Sequence, residues 1–230
     1  EIVFGAATDT QDAYGRVTAR DGHTRISAEA LIRALPGFTG EQAQTAPVYS
    51  ALKVDGRKMY DLAREGKAVS PRIRTVTIHE LACLEQTGEN RFLLKMRCSR
   101  GTYVRTVCAD LGIRLGTYAH MGMLIRTASG PFALSSAVTV AELETLKAEN
   151  RLLSALISCE EALSGFPALT LPLDRLRPAK NGLPTHVPGV AEGPVRLYCE
   201  KQFLGVGLAG NDSVKLTVHL YENAPGDGLT

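Results

Sequence analysis

Three groups of residues in this sequence are equipped for chemistry. In residues 98–105, CSRGTYVR, Tyr103 and Arg105 stand where an apolar run with Phe92, Leu93, Leu94 and Met96 gives way to helical spacing at Val104, Val107, Cys108 and Leu111. A strand therefore hands over to a helix at Gly101, with Thr102 in the place of an N-cap whose hydroxyl accepts from a free first-turn N–H. Arg105 then falls inside that first turn, where the helix dipole is positive and an exposed cation costs roughly 0.3–1 kcal/mol. A nearby anion removes the conflict. A carboxylate and a phosphate both suit a guanidinium beside unpaired N–H groups, so this corner is expected to organise one or the other.

The second group is the acidic pair Asp9 and Asp12 in FGAATDTQDAYG, residues 4–15. Short polar side chains in such a cluster make Asx-type turns, and local physics favours that role over catalysis. The third is a basic run. Between Lys53 and Arg74 there are seven basic residues, Lys53, Arg57, Lys58, Arg64, Lys67, Arg72 and Arg74, against three acidic ones. A run of this kind is commonly a solvated face. Tyr49 and Tyr60 interleave with it, and that raises the expectation of nucleic-acid contact, since phosphates need cations and unstacked bases need ring faces.

The elements that must position these residues follow from periodicity and punctuation. Residues 2–4 read as a strand already under way, residues 16–20 as another, and Ser27 as the cap of a short helix carrying Leu31, Ile32 and Leu35. Residues 40–52 show no clear period, and Pro47, Tyr49 and Ser50 suggest an ordered loop. Residues 56–66 read as a helix with Tyr60 and Ala63 inward, stopped by Gly66. Residues 75–84 and 92–98 form an antiparallel pair across a turn near Asn90. Residues 121–127 read as a strand, Thr139 and Glu142 as a capping box, and residues 152–163 as a second amphipathic helix packed on the first. Beyond residues 165–172, where helical periodicity stops, short strands at 195–199, 203–208 and 214–221 alternate with turn residues, as in a small β-barrel or sandwich.

Composition narrows the class. The 230 residues exceed the commonest domain size, 44% are apolar, and the formal net charge of +2 does not by itself announce a polyanionic partner. No apolar run approaches the eighteen or so residues that read as a membrane helix, and the N-terminus shows no basic n-region and no cleavage-type sequence, so no signal peptide is expected. The five cysteines are odd in number and form no CxxC pair, which reads as reduced, mostly buried thiols of a cytoplasmic protein. The five histidines are scattered, so no metal site is expected. The chain lacks Met at its start and opens inside a strand, and the expectation is an N-terminally truncated chain.

Four blocks, in order, resemble the bacterial tRNA pseudouridine-55 synthases of the TruB type: FGAATDTQDAYG, PVYSALKVDGRKMYDLAREG, CSRGTYVRTVCADLGIRLG and LIRTASGPF. The resemblance covers essentially the whole chain, although Ile125 replaces a common basic residue and Arg100 a more usual lysine. It implies an α+β pseudouridine-synthase fold, with a mixed, largely antiparallel sheet flanked by helices over residues 1–165 and a small PUA-like β-barrel over 166–230. It also implies an isomerase acting on the T loop of tRNA without cofactor or metal, as a monomer, by flipping a uridine out of its stack.

By motif position the resemblance makes Arg105 the partner of the catalytic aspartate, Tyr103 a contact of the flipped base, and Leu124 the residue that packs the pocket. Lys53, Arg57, Lys58 and Arg126 are expected RNA contacts, with phosphate contacts adding salt-dependent affinity, not base specificity. The attacking aspartate of the family lies in a GxLDPLATG-like motif, and the 230 residues contain none. Asp9 and Asp12 belong to the family's structural block. The expectation is therefore a chain in which Arg105 lacks its carboxylate and which is inactive alone; the alternative is a non-catalytic RNA-binding protein on the same fold.

Overall fold

The computed structural model describes residues 1–47, 53–54, 57–58, 65 and 73–221. These form two compact units, Glu1–Ile125 and Arg126–Thr230. The expected boundary after residue 165 falls inside the second unit, where it separates a helical segment from a five-stranded sheet.

The first unit opens with β1 (Ile2–Phe4), β2 (Ala6–Thr8) and β3 (Val17–Arg20), followed by α1 (Ala28–Ala34). Ser27 caps α1 as its type predicts: its backbone is extended and its hydroxyl accepts from the N–H of Ala30. A polar segment without apolar alternation then forms β4 (Gly40–Thr45), where a loop was expected. Among the described residues it pairs with the edge of the next long strand alone, so Gln44 is its one buried side chain and no two-residue apolar period is needed.

Lys53 and Val54 (β5) pair with Arg57 and Lys58 (β6), so Arg57 and Lys58 are extended, not helical. Most of the expected helix over 56–66, with Tyr49 and Tyr60, lies outside the described residues. Next come β7 (Ile73–Gly88) and β8 (Arg91–Cys98), an antiparallel pair whose turn is closed by Asn90 at φ 57°. α2 (Val104–Arg114) and β9 (Ala119–Met121) complete the unit.

The sheet order is β4-β7-β8-β1-β9, antiparallel throughout. Ile2, Leu31, Ile78, Phe92 and Leu111 are fully buried at the centre of its core, with Phe4 buried beside them. The strand expected over 121–127 is displaced to Ala119–Met121. β1 is only three residues long, and pairing stops where Met121 reaches Ile2. Leu124, beyond that point, is 55% exposed.

The single helical glycine of α2 sets how closely the helix approaches β9. A Cβ at Gly112 meets the Ala119 backbone nitrogen at 2.5 Å and the Ala119 Cβ at 2.8 Å. Main chain cannot yield as a flexible side chain does. Gly112→Ala is therefore expected to destabilise the unit by about 1–3 kcal/mol in urea unfolding, outweighing the roughly 1 kcal/mol that alanine adds to helix propensity.

The second unit begins with the small β10 (Ala128–Ser129) and β11 (Phe132–Ala133) pair. α3 (Val140–Ala148) starts at the expected capping box: Thr139 and Glu142 bond each other's backbone N–H groups. The helix expected over 152–163 is broken. A 3-10 turn (Leu152–Ala155) is separated from α4 (Cys159–Ala162) because Ser158 takes an extended backbone and caps the later piece. The second sheet contains β12 (Ala168–Leu171), β13 (Thr185–His186), β14 (Gly193–Cys199), β15 (Gln202–Gly210) and β16 (Ser213–His219), in the order β12-β14-β15-β16-β13. β12 runs parallel to β14 and the other pairs are antiparallel. Helix α5 (Leu176–Lys180) lies within this region, which was expected to contain none.

All five cysteines are free, and Cys159 is exposed. Burial pushes the Cys108 thiol up to about 12, so it remains a neutral packing group. No helix among the described residues is long and apolar enough to cross a membrane.

Candidate active site

Arg105 sits in the first turn of α2, the position where a cation opposes the helix dipole. The anion it calls for is present. The Arg105 guanidinium lies 3.2 Å from Asp12 Oδ2 and donates to the Thr10 carbonyl at 3.1 Å. Their side chains are 21% and 17% exposed, so the pair is shielded from water but not sealed from it. Arg105 therefore has a carboxylate partner within the chain, an aspartate 93 residues earlier whose type predicts a turn role.

Asp12 is held from several sides. Its Oδ1 accepts from the Thr10 hydroxyl at 2.7 Å and the Tyr14 N–H at 3.1 Å, while its main-chain carbonyl accepts from the Thr8 hydroxyl at 2.7 Å. Asp9 Oδ1 accepts from the Arg16 N–H at 2.9 Å. Both aspartates thus make the turn bonds their residue type predicts, and Asp12 carries the ion pair as well. Gly15 allows the turn to close this tightly, because a Cβ there would collide with the Thr10 hydroxyl and the Asp9 carboxylate.

The loop is strapped to the elements on either side. Gln11, at φ 62°, offers its carbonyl to the Met121 N–H at 3.0 Å and its side-chain oxygen to the Thr106 hydroxyl at 3.2 Å. Thr117, between α2 and β9, donates its hydroxyl to Asp21 Oδ2 at 2.9 Å. The Thr24 hydroxyl, the His23 N–H and this Thr117 bond hold the Asp21 carboxyl well below the usual carboxylate range.

The N-cap of α2 is Tyr103, not Thr102, and no side chain of its own neighbourhood caps the helix. The Thr102 hydroxyl donates instead to the Ser99 carbonyl at 2.9 Å, because the turn at Gly101, φ 88°, points it back toward the strand end. Tyr103 is half-buried, with the Arg74 guanidinium 5.6 Å from its ring centre. A cavity of about 270 Å³ is lined by Asp12, Tyr14, Met121, Gly122, Met123 and Leu124.

Residues 1–104 match the TruB family pseudouridylate synthase N-terminal domain, and residues 105–164 match the tRNA pseudouridylate synthase B C-terminal domain. A tRNA pseudouridine synthase B of Pelotomaculum thermopropionicum is 38% identical over 218 residues, covering 93% of this chain and 68% of that protein. The chain belongs to the TruB family. The tRNA pseudouridine synthase B of Geobacillus thermodenitrificans is 42% identical over 206 residues, covering 86% of this chain and 68% of its own length. This TruB-family chain thus spans about two thirds of those relatives.

Among solved structures, a chain of an H/ACA ribonucleoprotein bound to a substrate RNA containing 2'-deoxyuridine superposes with a TM-score of 0.62 at 20% identity, over 90% of this chain and 57% of that one. A chain of a Cbf5–Nop10–Gar1 complex gives 0.64 at 21% identity, over 87% and 63%. The fold is therefore that of the TruB and Cbf5 pseudouridine synthases, a mixed helix-and-sheet architecture. Enzymes of this kind are isomerases.

Of the residues singled out from the sequence, the fold brings Arg105 to Asp12, and Asp12 to the cavity that Leu124 lines. Tyr103 adjoins Arg105 in the chain but is absent from that cavity's wall. Arg126 is exposed and belongs to the second unit. The side chains of Lys53, Arg57 and Lys58 lie outside the described residues. Its sequence context gives Asp12 a turn role alone. The signal for its pairing with Arg105 was present: a carboxylate in a tight polar turn and a cation stranded at a helix start are complementary, but nothing in linear spacing joins them.

Proposed function

We propose that this chain is the larger part of a tRNA pseudouridine synthase acting on uridine 55 of the T loop. The observation that carries the reading is the Arg105–Asp12 pair at the start of α2, held beside a small cavity lined by Leu124. Relatives of 38–42% identity named tRNA pseudouridine synthase B support the same activity. Uridine and pseudouridine are isomers: the bond from the sugar to the base nitrogen breaks, one to a base carbon forms, and one proton leaves that carbon as another reaches the nitrogen. No oxidant, reductant or co-substrate is consumed, so the balance calls for no redox cofactor. The base leaves its stack to reach the cavity.

In this reading Arg105 orients the attacking aspartate and Asp12 holds Arg105. A guanidinium has donors enough to serve two carboxylates at once. Tyr103 and Leu124 contact the extruded base, while Lys53, Arg57, Lys58 and Arg126 bind the tRNA backbone. The second sheet, beginning at β12, serves as a PUA-like RNA-binding module, and the enzyme works as a cytoplasmic monomer. The attacking aspartate comes from a GxLDPLATG-like segment outside these residues.

The test incubates purified Glu1–Thr230 with unmodified tRNA and measures tritium release from 5-³H-uridine. The expected result is tRNA binding that weakens steeply with salt but no pseudouridine, whereas the complete protein converts uridine 55. Conversion by Glu1–Thr230 alone would place the attacking carboxylate within it, with Asp12 the residue in position.

A further inference from the structure

The buried amide of Gln44 lies apart from the Arg105–Asp12 pair and from the cavity beside it. β4 is an edge strand with one inward side chain, and that side chain is a glutamine, 4% exposed. A buried primary amide is costly unless its acceptor and donor are both matched. Here one distant residue matches both. Gln44 Oε1 accepts from the Tyr103 N–H at 2.7 Å, and Gln44 Nε2 donates to the Tyr103 carbonyl at 3.0 Å, across 59 residues of sequence. Only one orientation of the amide satisfies the two bonds.

This is the pairing that a neighbouring strand makes with one residue, supplied by a side chain. It acts on the N-cap of α2, which has no side-chain cap of its own. The Tyr103 carbonyl also accepts the Val107 N–H at 3.2 Å, so the same group opens the helix and takes the Gln44 donor. The next residue of β4 extends the strap, with the Thr45 carbonyl 3.4 Å from the Thr106 hydroxyl.

The partner of Gln44 across the strands is Arg74. Directly opposed residues share one face of a sheet, and both side chains reach the same corner. Arg74 donates to the Gly101 carbonyl at 3.3 Å and places its guanidinium over the Tyr103 ring. A Cβ at Gly101 would lie 2.7 Å from that guanidinium nitrogen, so glycine there admits Arg74. One strand pair thus holds Tyr103 twice, by its main chain and by its ring.

We infer that Gln44 is a positioning residue of the reaction, its amide fixing the Tyr103 main chain and with it the Tyr103 ring and the Arg105 guanidinium two residues on. The inference rests on the functional reading above. Gln44 touches Tyr103 and not the substrate, so its loss lowers turnover more than RNA affinity.

The experiment compares Gln44→Leu and Gln44→Glu with the parent in the complete protein, each assayed below its measured melting temperature. Gln44→Leu removes both bonds and is expected to lower kcat roughly 10- to 100-fold, with KM for tRNA within about threefold, as for a misplaced reacting group. Gln44→Glu keeps the acceptor for the Tyr103 N–H and is expected to lose less. Amide exchange in ¹⁵N-labelled Glu1–Thr230 reads the clamp directly: in Gln44→Leu, which removes the acceptor, the Tyr103 N–H exchanges faster while that of Ile78 does not, and in Gln44→Glu, which keeps it, the Tyr103 N–H exchanges more slowly than in Gln44→Leu. Parent-like kcat in whichever variants fold, a loss confined to KM, or an unchanged Tyr103 exchange rate in Gln44→Leu overturns the inference. A complete protein that forms no pseudouridine defeats the functional reading instead, and the exchange rates then still decide whether Gln44 holds Tyr103.

Discussion

Arg105→Ala in the complete protein is expected to lower kcat by about 10²–10³-fold, the loss that follows removal of one preorganised charge-stabilising donor. KM for tRNA should change little, because phosphate contacts elsewhere supply most of the affinity. The reason lies in the geometry: Arg105 is bound to Asp12 and to the Thr10 carbonyl, so its guanidinium is already in place before substrate arrives. Arg105→Lys should not restore turnover, since an ammonium cannot span two acceptors in one plane. Asp12→Asn should cost less than Arg105→Ala, because an amide oxygen can still accept from the Tyr14 N–H and the Thr10 hydroxyl while losing the charge. The double variant should resemble Arg105→Ala alone, as expected for residues acting through one network. Single-turnover assays check these outcomes, and parent-like turnover in Arg105→Ala would remove this corner from the active site.

Phe92→Ala is expected to destabilise the first unit by about 3–5 kcal/mol, seen as a lower urea midpoint with little change in slope. Phe92 is fully buried, meets Phe4 edge to face at 5.9 Å and 74°, and sits opposite Ile2 in the β1–β8 register. Truncation opens a void between strands that the flanking sheet cannot close. The consequence reaches the site: β1 lies between β8 and β9, and β9 anchors the Asp12 loop through Met121. A loss below about 1 kcal/mol would mean that the site rests on other contacts.

The effects that sequence revealed are those completed within a few residues. Ser27 and Thr139 cap helices because a hydroxyl three residues before an N–H reaches it without help. β7 and β8 were legible from their apolar runs and the Asn90 turn. The charge conflict at Arg105 was legible too, since the dipole of a first turn is local. Residues without a period were not. β4 exists because β7 offers an edge, and the helix expected over 152–163 breaks because Ser158 prefers to cap.

The sequence by itself determined that Arg105 needs an anion, and family resemblance added the class of reaction. Only the tertiary structure decided which anion within the chain answers that need. Asp12 is 93 residues away, and the choice between carboxylate and phosphate turned on a loop carried there by β1, β2 and β9. Gln44 was invisible for the same reason. A buried amide is defined by what it faces, and Tyr103 comes to face it only after the sheet and α2 have packed.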